Sequence, residues 1–190
     1  MSDRSTRVCP VELADSLDTR FRRWFQKPKK ILNPYIREGM RVLDFGCGPG
    51  YFTIPIAEMV GSSGHVIAAD LQDGMLQKLR EKIEGKELAN RIILHKCEHD
   101  KIGVSENIDF ILAFYVIHEV PDKERLFTEF AAILNPGGKL FIVEPPFHVS
   151  KKALAETIHK AEAAGFEEIE RPRLYFNKTV VLKNKNAIVS

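Results

Sequence analysis

"VLDFGCGPGYFT", residues 42–53, joins a short apolar run to a loop carrying Gly46, Gly48 and Gly50, with Asp44 two residues ahead of the first glycine. An apolar run that meets glycines and then helix-forming residues predicts a strand, a tight loop and a helix. In an open parallel sheet such a loop lies beyond the carboxyl end of its strand, where ligands bind if the strand order reverses. Glycine there permits positive φ and lets a ligand approach the backbone. The spacing is G-x-G-x-G, and Tyr51 stands where the dinucleotide fingerprint G-x-G-x-x-G requires its third glycine. Asp44 would repel a pyrophosphate, so a nicotinamide oxidoreductase is disfavoured. An acidic loop suits a ligand with an ammonium, a sulfonium and a carboxylate.

Outward from this stretch, β-rich runs alternate with helical periodicity. Strands are expected at "RVLDF" (41–45), "HVIAAD" (65–70), "RIILH" (91–95), "IDFILAF" (108–114) and "KLFIVE" (139–144). Met75, Leu76, Leu79 and Ile83 recur at helical spacing, as do Leu126, Phe127, Phe130, Ile133 and Leu134 after a start at Pro121-Asp122. A third helix runs from an N-cap at Ser150 to about Ala164, with Gly165 ending it. Pro55 fits only if the helix after the glycine loop starts near Phe52, because first-turn amides have no helical partner. Nearly continuous apolar strands separated by helices imply a parallel sheet covered on both faces. "FEEIERP" and "LYFNKTVVLK" (174–183), with only Pro172-Arg173 between, leave no room for a crossover helix. The last strand is therefore expected to be antiparallel to its neighbour.

Asp70 closes the second predicted strand. A carboxylate there accepts hydrogen bonds from both hydroxyls of a ribose, and Leu71 beside it offers a surface for a purine face. A nucleoside with an amino-acid tail meets the demands of Asp44 and Asp70 together, and S-adenosylmethionine is such a ligand. "VLDFGCGPG", "VIAADLQDGML", "IDFILAFYVIHEVPD" and "LNPGGKLFIVEP" resemble the successive motifs of class I S-adenosylmethionine-dependent methyltransferases. The similarity is nearest to the small-molecule subgroup that includes ubiquinone and menaquinone C-methyltransferases, and it extends over about residues 38 to 183. It implies a Rossmann-like, doubly wound α/β fold whose seven-stranded sheet is mostly parallel with an antiparallel C-terminal strand. By the same resemblance, Asp44, Gly46, Cys47, Gly48 and Gly50 hold the methionine end of the cofactor and Asp70 with Leu71 the nucleoside. The adenine contact falls at Cys97 or Glu98, and Ala113 and Phe114 line the region near the sulfonium.

The acceptor is less determined. His118 and Glu144 follow the fourth and fifth strands, at the rim where an acceptor should lie, and His148 is close behind. Each is a candidate base, while His118 is equally suited to cap the helix near Pro121 and Glu144 to orient a loop. "AFYVIHE" stands where amino-methylating nucleic-acid enzymes carry an NPPY-type motif, which favours a small-molecule acceptor. RNA or protein methylation, or cofactor binding without turnover, are the lesser alternatives. Among basic residues, the run Arg20, Arg22, Arg23, Lys27, Lys29 and Lys30 alone favours an anionic substrate.

The 190 residues, 44% hydrophobic and with net charge +2, are expected to form one methyltransferase domain. Residues 40–183 form its sheet and residues 1–39 a helical lid or flank in which Trp24 or Phe25 covers the acceptor pocket. No apolar run approaches the roughly 18 residues of a membrane span, and no apolar signal segment opens the chain. A cytoplasmic protein without a membrane partner is expected. Cys9, Cys47 and Cys97 are too few and scattered for a disulfide framework. Cys9 and Cys97 read as ordinary buried thiols, with binding of a soft acceptor such as a thiol or arsenical as the minor alternative. His95, Cys97, His99 and His118 have no familiar metal-ligand spacing, so no metal is expected.

Overall fold

A computed structural model describes residues 27–185. Helix α1 (Pro28–Leu32) precedes strand β1 (Arg41–Phe45), which is followed by α2 (Thr53–Met59), β2 (His65–Asp70), α3 (Asp73–Ile83) and β3 (Ile92–Lys96). Then come β4 (Ile108–Phe114), α4 (Lys123–Ile133), β5 (Leu134–Glu144), α5 (Lys151–Ala163), β6 (Phe166–Glu170) and β7 (Lys178–Asn184). The seven strands form one sheet in the order β3-β2-β1-β4-β5-β7-β6. Strands β1 to β5 run parallel, and β7 is antiparallel to both β5 and β6. The order reverses between β1 and β4, so the glycine loop after β1 opens at the switch point.

Alternate residues of each central strand serve different cores, as both-sided burial requires. Leu43, Ile67, Ile111 and Ile142 pack with Phe127, Phe130 and Leu154 of α4 and α5. Val42, Val66, Leu112 and Val143 pack with Leu32, Ile56 and Leu79 of α1, α2 and α3. Caps fall where the sequence places them. Asp122 accepts from the Arg125 amide at 3.0 Å and starts α4, and Ser150 Oγ accepts from Ala153 at 3.0 Å to start α5. Gly165, at φ 99°, ends α5. Pro55 lies in the first turn of α2, where its missing N–H costs nothing.

Three boundaries differ from the sequence expectation. Strand β3 begins and ends one residue later than expected, at Ile92 and Lys96. Strand β5 begins at Leu134 rather than Lys139, because Leu134 pairs with Ile108 before the ladder shifts register. The intervening "NPGG" reads as a turn in sequence, and it is an irregularity inside the strand, with Gly137 at φ 75°. The link between β6 and β7 is not the dipeptide Pro172-Arg173 but residues 171–177. Those extra residues form a loop at the same end of the sheet as the glycine turn.

Candidate active site

The carboxyl ends of β1 to β5 surround a cleft of about 1020 Å³. That is at the upper end for a small-molecule site and leaves room for a cofactor and an acceptor together. Gly46, Gly48 and Gly50 all have positive φ, at 72°, 53° and 87°. They differ in what a side chain would meet. A Cβ on Gly46 would lie 2.5 Å from Val116 Cγ2, and one on Gly50 would lie 2.3 Å from Leu79 Cδ1. A Cβ on Gly48 would meet nothing within 4 Å. Two glycines thus let the loop pack on its own protein, and the third presents bare backbone to the cleft.

Backbone bonds fix this loop on β2. The amides of Gly46 and Cys47 donate to the Ala69 carbonyl at 2.8 and 3.1 Å. Asp70 holds the other side, with Oδ2 accepting from the Gly48 amide at 2.9 Å and Oδ1 from the Gln72 amide at 2.8 Å. A carboxylate has about four acceptor positions, and the Leu71 amide also acts on this one, so an acceptor position remains for a ligand hydroxyl. Burial raises the Asp70 pKa, and the Gln72 and Gly48 amides work against that rise.

Asp44, only 2% exposed, lines the cleft beneath the loop. Thr53 Oγ1, at the start of α2, donates to its Oδ2 at 2.6 Å. Burial pushes its pKa up to about 7, the Thr53 hydrogen bond opposes this, and the Asp70 charge adds to it. The site therefore holds a carboxyl group that gains most from a cation placed beside it.

Cys47, Leu71, Cys97, Glu98 and Phe114 also line the cleft. The Cys97 amide donates to the Asp70 carbonyl at 2.9 Å, which sets the loop after β3 against the end of β2. Burial, with Asp70 next, pushes the Cys97 thiol up to about 12, and burial with Asp44 and Asp70 holds Cys47 well above its ordinary value. Both thiols are therefore protonated and unsuited to nucleophilic work. Gly50 and Ala113 do not reach the cleft surface; Gly50 packs on Leu79, and Ala113 is fully buried in the sheet core. His95, considered with the metal candidates, has Nε2 at 2.6 Å from the Ile102 carbonyl. Among the described residues no group of three or more His, Cys, Asp or Glu could hold a metal ion.

At the opposite end, His118 sits in a short 3₁₀ turn (Ile117–Glu119) after β4 and lines the cleft. It does not cap α4, a role filled by Asp122. Its Nδ1 lies 2.6 Å from Oε2 of Glu144, which is 2% exposed at the end of β5. The two residues are one unit. The hydrogen bond to Glu144 raises the His118 pKa, burial opposes the rise, and the Glu144 and Glu119 charges add to it. The His148 ring lies 6.3 Å away. Sequence reasoning missed Tyr115, which holds a left-handed backbone at φ 61° and donates from its hydroxyl to Asn177 Oδ1 at 2.6 Å. A tyrosine in that region is uncommon and clusters at functional sites. Cys9, Trp24, Phe25 and the arginines 20, 22 and 23 lie outside the described residues.

A doubly wound sheet with an antiparallel β7 and an acidic glycine loop at the switch point defines a Rossmann-like methyltransferase architecture. The methyltransferase domain family matches residues 36–179, and the chain belongs to that family. It is similar to a SAM-dependent methyltransferase from Aquifex aeolicus, at 26% identity and TM-score 0.82, over 93% of this chain and 98% of that one. It is 31% identical over 124 residues to the ubiquinone/menaquinone biosynthesis C-methyltransferase UbiE of Shewanella frigidimarina, covering 65% of this chain and 49% of that protein. A demethylmenaquinone methyltransferase of Listeria welshimeri is 28% identical over 122 residues, covering 64% of this chain and 51% of that protein. The chain thus spans about half the length of the curated relatives it matches.

Proposed function

We propose that this chain is an S-adenosylmethionine-dependent methyltransferase acting on a small-molecule acceptor in the cytoplasm. One observation carries the cofactor reading. The open Gly48 backbone stands between two buried carboxyl groups, Asp44 and Asp70, on one cleft wall. These groups fit the cofactor, because a cation relieves Asp44 and the remaining acceptor capacity of Asp70 suits a ribose hydroxyl.

In this reading Asp44 and the backbone of residues 46–50 hold the methionyl portion, with Cys47 packing beside it. Asp70 binds the ribose, Leu71 and Cys97 flank the base, and Glu98 is placed to accept from its amino group. Phe114 closes the wall near the sulfonium, while Gly50 and Ala113 support the loop and strand from behind. When bound, the cofactor supplies an electrophilic methyl group for in-line displacement. The chain's contribution is alignment, which reaches roughly 7–11 kcal/mol in favourable systems.

His118 is the base for an acceptor that must lose a proton. Glu144 holds the imidazole so that Nδ1 carries the proton and Nε2, with the Glu119 carboxylate 4.0 Å away, takes one, and it stabilises the cation that forms. Glu144 is accordingly a positioning residue. The names of the quinone-related relatives support a small-molecule acceptor. Residues 1–190 act as a single domain in this reading. Isothermal titration with S-adenosylmethionine, and then a panel of phenolic, quinol and amine acceptors with labelled methyl, tests it. No heat with the cofactor rejects the reading.

A further inference from the structure

The loop beyond β5 forms part of the lip of the cleft, and the loop before β7 runs beside it. Antiparallel pairing sets Glu144 opposite Lys178 and Val143 opposite Thr179, so residues 145–150 and 171–177 leave the sheet side by side. Lys178 Nζ donates to the Pro146 carbonyl at 2.7 Å, and the Tyr115–Asn177 hydrogen bond ties the second loop to the cleft wall. Pro145 and His148 line the cleft itself. At the tips, Phe147 is 93% exposed and Phe176 is 84% exposed. Rings of this size are usually buried, and one exposed on each of two adjacent loops near a ligand mouth marks an interaction site.

The charge around them is one-sided. Residues 145–152 and 171–178 contain Lys151, Lys152, Arg171, Arg173 and Lys178 and no Asp or Glu, although the whole chain is nearly balanced at 28 basic and 26 acidic residues. Arg171 is paired with Glu168. Lys151, Lys152 and Arg173 are exposed and enter no ion pair among the described residues.

We propose that this lip docks on the surface of an anionic lipid bilayer, with Phe147 and Phe176 entering the headgroup–acyl boundary and the cations meeting the headgroups. Aromatic and basic residues on one protruding edge match that interface. A protein partner fits less well, since interface cores are depleted of lysine and these rings are bordered by cations. A single-stranded nucleic acid stacks on rings that lie against a groove, whereas neither ring here rests on much protein. No helix among the described residues is long and apolar enough to cross a membrane, and surface docking needs none. The proposal does not depend on methyl transfer.

The test is co-sedimentation of the full chain with vesicles of phosphatidylcholine alone or mixed with phosphatidylglycerol, without cofactor. Binding should be at least about tenfold tighter to the anionic vesicles and weaken with salt. F147A/F176A should lower it at least about tenfold, and K151E/K152E by about twentyfold or more. F147A/F176A should leave the thermal melt unchanged, because both rings are exposed, and K151E/K152E, in the first turn of α5, should not lower it. No vesicle binding overturns the proposal, as does binding that F147A/F176A leaves intact. A dimer, or a complex with single-stranded RNA, that these variants abolish while vesicles go unbound also overturns it. Cofactor titration on the same sample keeps the two readings apart, since either can fail while the other stands.

Discussion

Cofactor binding should release a proton from Asp44. With a pKa of about 7 in the free protein, the group is about nine-tenths protonated at pH 6. Raising a carboxyl from 3.8 to about 7 corresponds to about 4 kcal/mol of preference for the neutral form in the fold. The sign follows from proton counts. The unfolded chain binds fewer protons at this site between those pKa values, so the stability Asp44 contributes is full below pH 3.8 and is lost as pH rises through about 7. A cationic ligand reverses the preference by favouring the carboxylate. If the bound pKa falls to about 5 or below, affinity for S-adenosylmethionine rises about thirtyfold between pH 5.5 and 8. Titration calorimetry at pH 6 in buffers of different ionisation enthalpy should show close to one proton released per cofactor. Asp70 and Cys47 face the same region, so Asp44→Asn is the control. Asparagine still accepts from Thr53, and the variant should fold, release no proton and lose the pH dependence. At pH 8 its affinity should be lower by about 1.5–3 kcal/mol, the worth of a charged partner. Proton-free binding with flat affinity across this range in the wild type would refute the assignment of Asp44 to the cationic end of the ligand.

Asp70→Asn should weaken cofactor binding by about 2–3 kcal/mol and also loosen the loop, since one backbone amide loses its acceptor; calorimetry and hydrogen exchange at Gly48 read the two effects. Gly46→Ala should destabilise the fold by about 2 kcal/mol or more through its clash with Val116, whereas Gly48→Ala should cost about 1 kcal/mol of stability and act chiefly on cofactor affinity. Denaturant melts paired with titrations separate them. His118→Ala should lower kcat by roughly 10²-fold or more with little change in cofactor affinity. The wild-type rate should rise with pH through a pKa above 6.5, and Glu144→Gln should move that inflection downward, because Glu144 is the main cause of the raised value. The same raised pKa makes the His118–Glu144 contribution to stability full below pH 6.5 and lost as pH rises through the folded value.

The central parallel strands were legible because both their faces are buried, unlike the edge strand β3, whose bounds shifted by one residue. A run such as "IDFILAF" has no solvent face to interrupt it, and its bounds in sequence and structure coincide. Helix starts were legible for a related reason, since Asp122 and Ser150 act on amides three residues away. The start of β5 was not, because "NPGG" carries turn chemistry and only the ladder to β4 keeps it in the strand. Asp44, Asp70 and the glycine loop were legible as candidates because their residue types stand at strand ends within one β-α-β unit, and Asp44, Gly46, Gly48 and Asp70 line one cleft.

By itself, then, the chain's pattern determined the order of elements and the parallel strands, and its resemblance to a known family the doubly wound, seven-stranded form of the sheet. The order of elements and the parallel strands rest on local periodicity and short-range capping. Tertiary structure alone decided the rest. It joined His118 to Glu144 across 26 residues of sequence because β4 and β5 are neighbours, and so made one hydrogen-bonded pair of two candidates. It separated Gly48 from Gly46 and Gly50, because Val116 and Leu79 come from other elements. It set the Asp44 pKa, because desolvation depends on everything packed around a group rather than on its neighbours in sequence.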